Sequence, residues 1–158
     1  MKALIVKTEG AVESIEIDGL RDKQKAVDGC IEYFGVFEDR GFTIIINEDG
    51  LFTCPPNRAI FGDASLEEAG YLSQFSHEYR PVRDGELYAI LCGDFLVVGF
   101  DPATREERDL TPEAEAAARE MFERGASGPA SGLIAAVALK RNAVLSAEDV
   151  AFLPAARA

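Results

Sequence analysis

Apolar positions along this chain come in short bursts divided by clusters of Gly, Asp, Asn and Pro, a rhythm of short strands and tight turns. Two β-branched runs open it, KALIVKT from Lys2 and VESIEI from Val12, with Glu9-Gly10 as the turn between them. They predict a strand pair. From Asp18 to Gly29 the period changes: Asp18 stands where an N-cap is needed, Leu20 and Val27 lie on one helical face, and Gly29 is a stop. A short helix near residues 19–28 is expected.

Strand-like runs return as CIEYFGVF (30–37) and FTIII (42–46). The second leads into NEDG, where Asp49-Gly50 signals a tight hairpin and LFTC (51–54) is the expected returning strand. ELYAILC (86–92) and FLVVGF (95–100) flank Gly93-Asp94, a second hairpin signal of the Gly-first kind. Between them, in GDASLEEAGYLSQFSHEYRPVRDG, Ser65 and Glu68 have capping-box spacing and Gly70 cuts the helix short. This stretch reads as an inserted, partly ordered loop over residues 62–84.

The clearest helix spans 111–124. Thr111 supplies its N-cap, Pro112 its first position and Gly125 its stop, while Ala114, Ala117, Ala118, Met121 and Phe122 share a face. Glu115 with Arg119 and Glu120 with Arg124 make i,i+4 pairs on the other side. After it GASGPASG reads as a linker, and LIAAVALKRN and SAEDVAFLP as two short helical pieces. The predicted class is α+β: a mostly antiparallel sheet of about five to seven short strands, the main helix at 111–124 and the short one near 19–28. A single domain over 1–125 is expected, followed by a linker and partly helical tail over 126–158.

Length and composition agree with a real core, since the chain has 158 residues and 47% are apolar. Charge narrows the partners. The formal net charge is -12, from 28 acidic against 16 basic residues, and residues 61–110 alone hold 11 acidic and 4 basic side chains. Direct nucleic-acid binding, which needs clustered Lys and Arg, is not expected; an acidic chain suits a basic partner or plain solubility. Cys30, Cys54 and Cys92 are odd in number and far apart, so reduced thiols in a cytoplasm are expected rather than disulfides or a zinc site. LIAAVAL is too short to span a membrane, and no H-E-x-x-H, D-x-D-x-D-G or paired-Cys spacing occurs, so neither a membrane nor a metal or cofactor is expected.

The order of these signals, a first hairpin, IDG, NEDG, PPNRAI, DGELYAILCGDFLVVGFD and a helix closing on MF, resembles the domain-of-unknown-function family DUF3846 over residues 1 to about 124. Asn47-Glu48, Gly50, Pro55, Asn57-Arg58-Ala59, Gly93 and Gly99 carry the likeness. The 62–84 insertion and the tail from Ala126 depart from it. The resemblance implies a small protein of bacteria and their phages and plasmids, hence a mobile-element setting. It implies no activity, substrate or catalytic residue.

Candidate chemistry is sparse. Asn57 and Arg58 follow the stiff Pro55-Pro56 pair, either anchoring a strand-to-helix corner or presenting the planar Arg58 fork to a carboxylate or phosphate. His77, the single histidine, lies among Ser73, Ser76, Glu78 and Tyr79 without a G-x-S-x-G elbow, so no catalytic residue is assigned. Cys54 and Cys92 are expected as buried, inert thiols. Glu86, Asp94, Asp101, Glu106, Glu107 and Asp109 form either a solvated rim or a negative face that imitates nucleic-acid phosphates toward a basic groove on a host protein. The binding residues expected are thus Asn57, Arg58, Glu86, Asp94 and Asp101. The leading expectation is a non-enzymatic, cytoplasmic interaction protein of mobile elements that binds a basic host or phage protein. The alternative is a small-ligand-binding module or weak enzyme with a pocket near residues 55–58 and the 62–84 insertion.

Overall fold

A computed structural model of the chain describes residues 1–76 and 78–124. In chain order the strands are β1 (Lys2–Val6), β2 (Val12–Glu16), β3 (Ile31–Phe34), β4 (Phe42–Asn47), β5 (Pro56–Phe61), β6 (Leu87–Cys92), β7 (Phe95–Asp101) and β8 (Glu106–Arg108). The helices are α1 (Gly19–Val27), α2 (Gly50–Thr53), α3 (Ala64–Ala69) and α4 (Pro112–Glu123), and Glu38–Arg40 makes a 3-10 turn. The class is α+β, as the sequence predicts. The described residues fall into two compact units, Met1–Pro55 with Cys92–Arg124, and Pro56–Leu91.

The first unit is a six-stranded sheet in the order β2-β1-β7-β4-β3, with β8 also paired to β7. Its pairings are antiparallel. On β7, Val98 faces Ala3 of β1 and Thr43 of β4, and Gly99 faces Phe42 of β4 and Arg108 of β8. β8 therefore takes up the side of β7 that β1 leaves, and the Leu110 N–H donates to the Lys2 carbonyl across that junction (3.1 Å). Gly99 permits the approach: a Cβ there would lie 2.7 Å from the Arg108 carbonyl oxygen.

Alternation sends Ala3, Ile5, Ile45, Leu96 and Val98 to one face, where they pack with Ile17 and with Val27 of α1. Leu4, Ile44, Phe95 and Val97 point to the other, where Phe122 of α4 meets Phe95 edge to face at 5.1 Å between ring centroids. With both faces covered, β1 and β7 read as unbroken apolar runs instead of alternating ones.

α4 forms as expected: the Thr111 hydroxyl accepts from the Ala114 N–H (3.2 Å), Pro112 opens the helix, and Glu115–Arg119 and Glu120–Arg124 pair at 2.9 and 3.1 Å. Its buried stripe is narrower, Ala114, Ala118 and Phe122, with Ala117 exposed. α1 differs in detail. Leu20 is 55% exposed, so buried Val27, with partly buried Ala26 beside it, anchors the helix, and Asp28, not Gly29, takes the left-handed position with φ 57°. The Asn47 side chain donates to the Val27 and Asp28 carbonyls (3.1 and 3.0 Å), satisfying the end of the helix from the neighbouring strand.

Both later hairpin expectations are corrected. Asp49-Gly50 does not return the chain along β4, because the Asn47 side-chain oxygen accepts the Asp49 N–H (2.8 Å) and the chain winds into α2, leaving Leu51 and Phe52 in solvent. Gly93-Asp94 joins strands that do not pair with each other: β6 pairs with β5, and β7 with β1, β4 and β8. Gly93, at φ 77°, turns the chain while its N–H donates to the Pro55 carbonyl (2.8 Å).

The Pro56–Leu91 unit carries the two-stranded sheet of β5 and β6, with Ile60, Leu66, Val82 and Leu87 buried. α3 begins at Asp63 and not at Ser65: the Asp63 carboxylate accepts from the Leu66 N–H (3.0 Å), and the Ser65 hydroxyl donates to that same carboxylate. Gly70 ends it. The 62–84 stretch thus holds a capped helix, a Leu72–Pro81 bridge and a Tyr71–Tyr88 edge contact, more order than a loop implies. His77, the Gly125 stop, the linker and the tail helices lie outside the described residues. Among the described residues no helix is long and apolar enough to cross a membrane.

Candidate functional site

Asn57 and Arg58 sit within β5, not at a strand-to-helix corner. Pro56 opens the strand, and Arg58, 2% exposed, turns back so that its guanidinium donates to the Asn57 side-chain oxygen (2.6 Å). Burial pushes the Arg58 guanidinium down from its ordinary value. Its fork faces protein, not solvent.

Most of the predicted rim carboxylates are held by groups of the chain itself. Glu86 takes a two-pronged bond from Arg80 (2.9 and 3.0 Å) and another from the Arg83 N–H (3.0 Å); burial raises its carboxyl, but these donors outweigh burial and hold it below the ordinary range. Asp94 behaves alike: burial raises it, while the Thr8 N–H (2.8 Å), the Lys7 ammonium (3.1 Å) and the Thr8 hydroxyl (3.0 Å) bring it net below. Asp101 receives the Ala103 N–H and Arg108, Glu107 binds Lys23 and Tyr33, and Asp109 accepts from the Lys2 N–H. Asp94 and Asp101 are separated by the length of β7. Of the five predicted binding residues, Asn57, Arg58 and Glu86 belong to one unit, Asp94 and Asp101 to the other.

The concave surface of the first unit lies elsewhere. α1 rests on β3, β4 and β7, and beside it, over β1 and β2, opens a groove of about 640 Å³. Ile5, Ile15, Ile17 and Val27 make its apolar floor. Its rim carries four carboxylates, Glu16, Asp22, Asp28 and Asp94, against two ammonium groups, Lys7 and Lys25. Lys7 is already bound to Asp94, and Glu16, 70% exposed, stands 3.3 Å from the Met1 amine. Asp28 adds its charge where the carbonyl end of α1 contributes partial negative charge. Cys54, Pro55 and Gly93 close one end of the groove, and a Cβ on Gly93 would lie 3.0 Å from the Cys54 sulfur. Cys92 is buried, and burial, then the nearby Cys54, pushes its thiol up. Cys54 is only half-buried and Cys30 is exposed.

A second hollow, about 340 Å³, is lined by Lys2, Ser14, Leu110 and Glu115, and shares Ile15 and Glu16 with the first. β2 thus runs between two depressions. Among the described residues no three His, Cys, Asp or Glu side chains cluster as metal ligands would. The groove offers an apolar floor and fixed charge.

Sequence reading did not find Glu16, Asp22, Lys25 or Arg80. Only VESIEI held a signal, a strand run with two glutamates and no basic residue. The family model for DUF3846, a domain of unknown function, matches residues 1–123. Neither a curated protein nor a solved structure matches the chain.

Proposed function

The chain belongs to the DUF3846 family, and from the chemistry of its groove we propose that it is a non-enzymatic interaction protein that binds a basic segment of a host or phage protein. The mobile-element setting of this proposal rests on the family resemblance alone. The observation that carries the reading is the groove beside α1, whose apolar floor is rimmed by four carboxylates against two ammonium groups. An incoming Lys or Arg finds carboxylates there, and its aliphatic stem finds Ile5, Ile15 and Ile17. The net charge of -12 draws such a segment in and speeds encounter at low salt. The acidic contact surface is thereby moved from the sheet rim to the groove, which keeps Asp94 of the rim and adds Glu16, Asp22 and Asp28. A pocket displaying Arg58 gains no support, since that side chain is buried in β5.

The test is a titration of isotope-labelled protein with a short basic peptide. Shifts should concentrate at Ile5, Ile15, Ala26 and Asp28, weaken at high salt, and be absent with an acidic peptide of matched length. Equal binding of both peptides, or none at either salt, rejects the proposal.

A further inference from the structure

The ladder between β1 and β2 fixes which way the backbone of β2 faces. Met1 and Ile17 exchange both hydrogen bonds (2.8 and 3.0 Å), and Lys7 donates to the Ala11 carbonyl (2.8 Å). The register pairs Ala3 with Ile15 and Ile5 with Glu13 between them. Odd-numbered residues of β2 therefore bond inward to β1, and Val12, Ser14 and Glu16 turn their N–H and carbonyl groups outward. Arg119 takes the Val12 carbonyl (3.2 Å). The backbone groups of Ser14 and Glu16 have no partner among the described residues.

We infer that β2 is extended by one more strand, an antiparallel basic segment of the protein partner that pairs with Ser14 and Glu16; this rests on the function proposed above. An open edge alone does not specify an occupant, but two further features do. First, alternate side chains of an added strand need room on both faces, and the two hollows that meet at Ile15 and Glu16 supply it, one on the α1 side and one on the α4 side. Second, the strand's own charges are of one sign, Glu13 and Glu16 with no basic residue, and the Arg119 guanidinium that reaches its Val12 end is already paired with Glu115 and Glu123. A second copy of this chain, itself at net charge -12, meets repulsion there, whereas a basic strand meets attraction.

The register dictates the sequence that fits. Read from its own amino end, the added strand places a basic residue opposite Glu16, an apolar one opposite Ile15 on the groove side, a small polar one opposite Ser14 beside Glu115 and Arg119, and a basic one opposite Glu13. Arg-Val-Thr-Lys satisfies all four positions. The Arg119 bond to Val12 ends the pairing there.

The probe is therefore a capped peptide containing Arg-Val-Thr-Lys, compared with two backbone-methylated forms. Methyl groups on the Arg and Thr amides block the bonds to Glu16 and Ser14 and should weaken binding about tenfold or more, while methyl groups on the Val and Lys amides face away and should leave affinity nearly unchanged. Binding should also slow hydrogen exchange at the Ser14 and Glu16 amides. On the protein side, Ser14→Pro removes an outward N–H that the ladder does not use and should abolish peptide binding, while Ser14→Ala, which loses only the hydroxyl that accepts from Arg119, should keep it. If the peptide shifts the groove resonances but leaves those two amides unprotected, or if both methylated forms bind alike, strand addition is overturned and the proposed function stands. If no basic peptide binds, both fall. A dimer of the chain alone that protects the Ser14 and Glu16 amides gives the edge to a second copy and also overturns the inference.

Discussion

In the six-stranded unit the buried polar side chains are Thr43 and Asn47, both short, whereas the Pro56–Leu91 unit buries Asn57 and the long, charged Arg58 together. Arg80 and Glu86 of that second unit are a further ion pair with little exposure, 18% and 15% of their side chains. The sheet unit has a comparably shielded ion pair, Lys23 with Glu107 at 12% and 22%, but buries no charged side chain fully and fills its two faces with Ile, Leu, Val and Phe. Its stability resides in shape, while the second unit depends more on buried donors finding acceptors, which makes the two vulnerable to different substitutions.

Phe122→Ala carries the largest expected effect. The ring is 1% exposed and packs against Phe95, so its loss leaves a cavity in the α4 face and should cost about 3–5 kcal/mol, read by denaturant unfolding and by faster amide exchange along β7. A smaller loss, within about 1 kcal/mol, would mean that α4 is not a wall of this core. Arg58→Ala tests the other side of the comparison. It removes the charge-assisted bond to the Asn57 side-chain oxygen, costing about 2–3 kcal/mol with the exchange change centred on β5 and β6. An unchanged melting temperature would make Arg58 a waiting ligand contact and not an anchor.

The same contrast explains what was legible in the sequence. Strand positions in the sheet unit are set by apolar runs whose burial is local, and α4 carries its own N-cap, first-turn proline and ion pairs, so its bounds were readable. Connectivity was not. Asp49-Gly50 and Gly93-Asp94 have hairpin chemistry, yet which strand pairs with which is decided by long-range contacts such as Asn47 with the end of α1 and Asp94 with Thr8. Neither is visible in a dipeptide. The groove eluded the reading for a related reason: Glu16 ends β2, Asp22 and Asp28 belong to α1 and its C-cap, Asp94 precedes β7, and only the packing of α1 beside β1 and β2 makes them one rim.

Acid should act on both units at once. Asp94 in the first and Glu86 in the second have folded-state pKa values below their unfolded ones, so the unfolded chain takes up protons first as pH falls. Their stabilisation is fully present above the ordinary carboxylate range of about 3.9 to 4.3 and is lost as pH drops through the lower folded values. Asp94→Asn should flatten the acid limb of stability in the sheet unit, and Glu86→Gln that of the second, followed residue by residue by amide exchange. Acid limbs that keep their full slope in both variants would show that other carboxylates govern this range.

The smallest effect sharpens the claim about shape. If apolar content alone held the sheet unit, replacing any of its large apolar residues would be costly, but Leu51 and Phe52 on α2 are 70% and 87% exposed. In the hairpin that Asp49-Gly50 suggested, one of these two adjacent residues would have pointed into a core, since neighbours in a strand face opposite ways. In the single helical turn that forms instead, both face solvent. Leu51→Ser with Phe52→Ser should therefore change unfolding free energy by no more than about 0.5 kcal/mol and leave the β4 and β7 amides equally protected. A loss near that of Phe122→Ala would restore a core role to this turn and erase the distinction between buried shape and mere apolar composition on which the contrast of the two units depends.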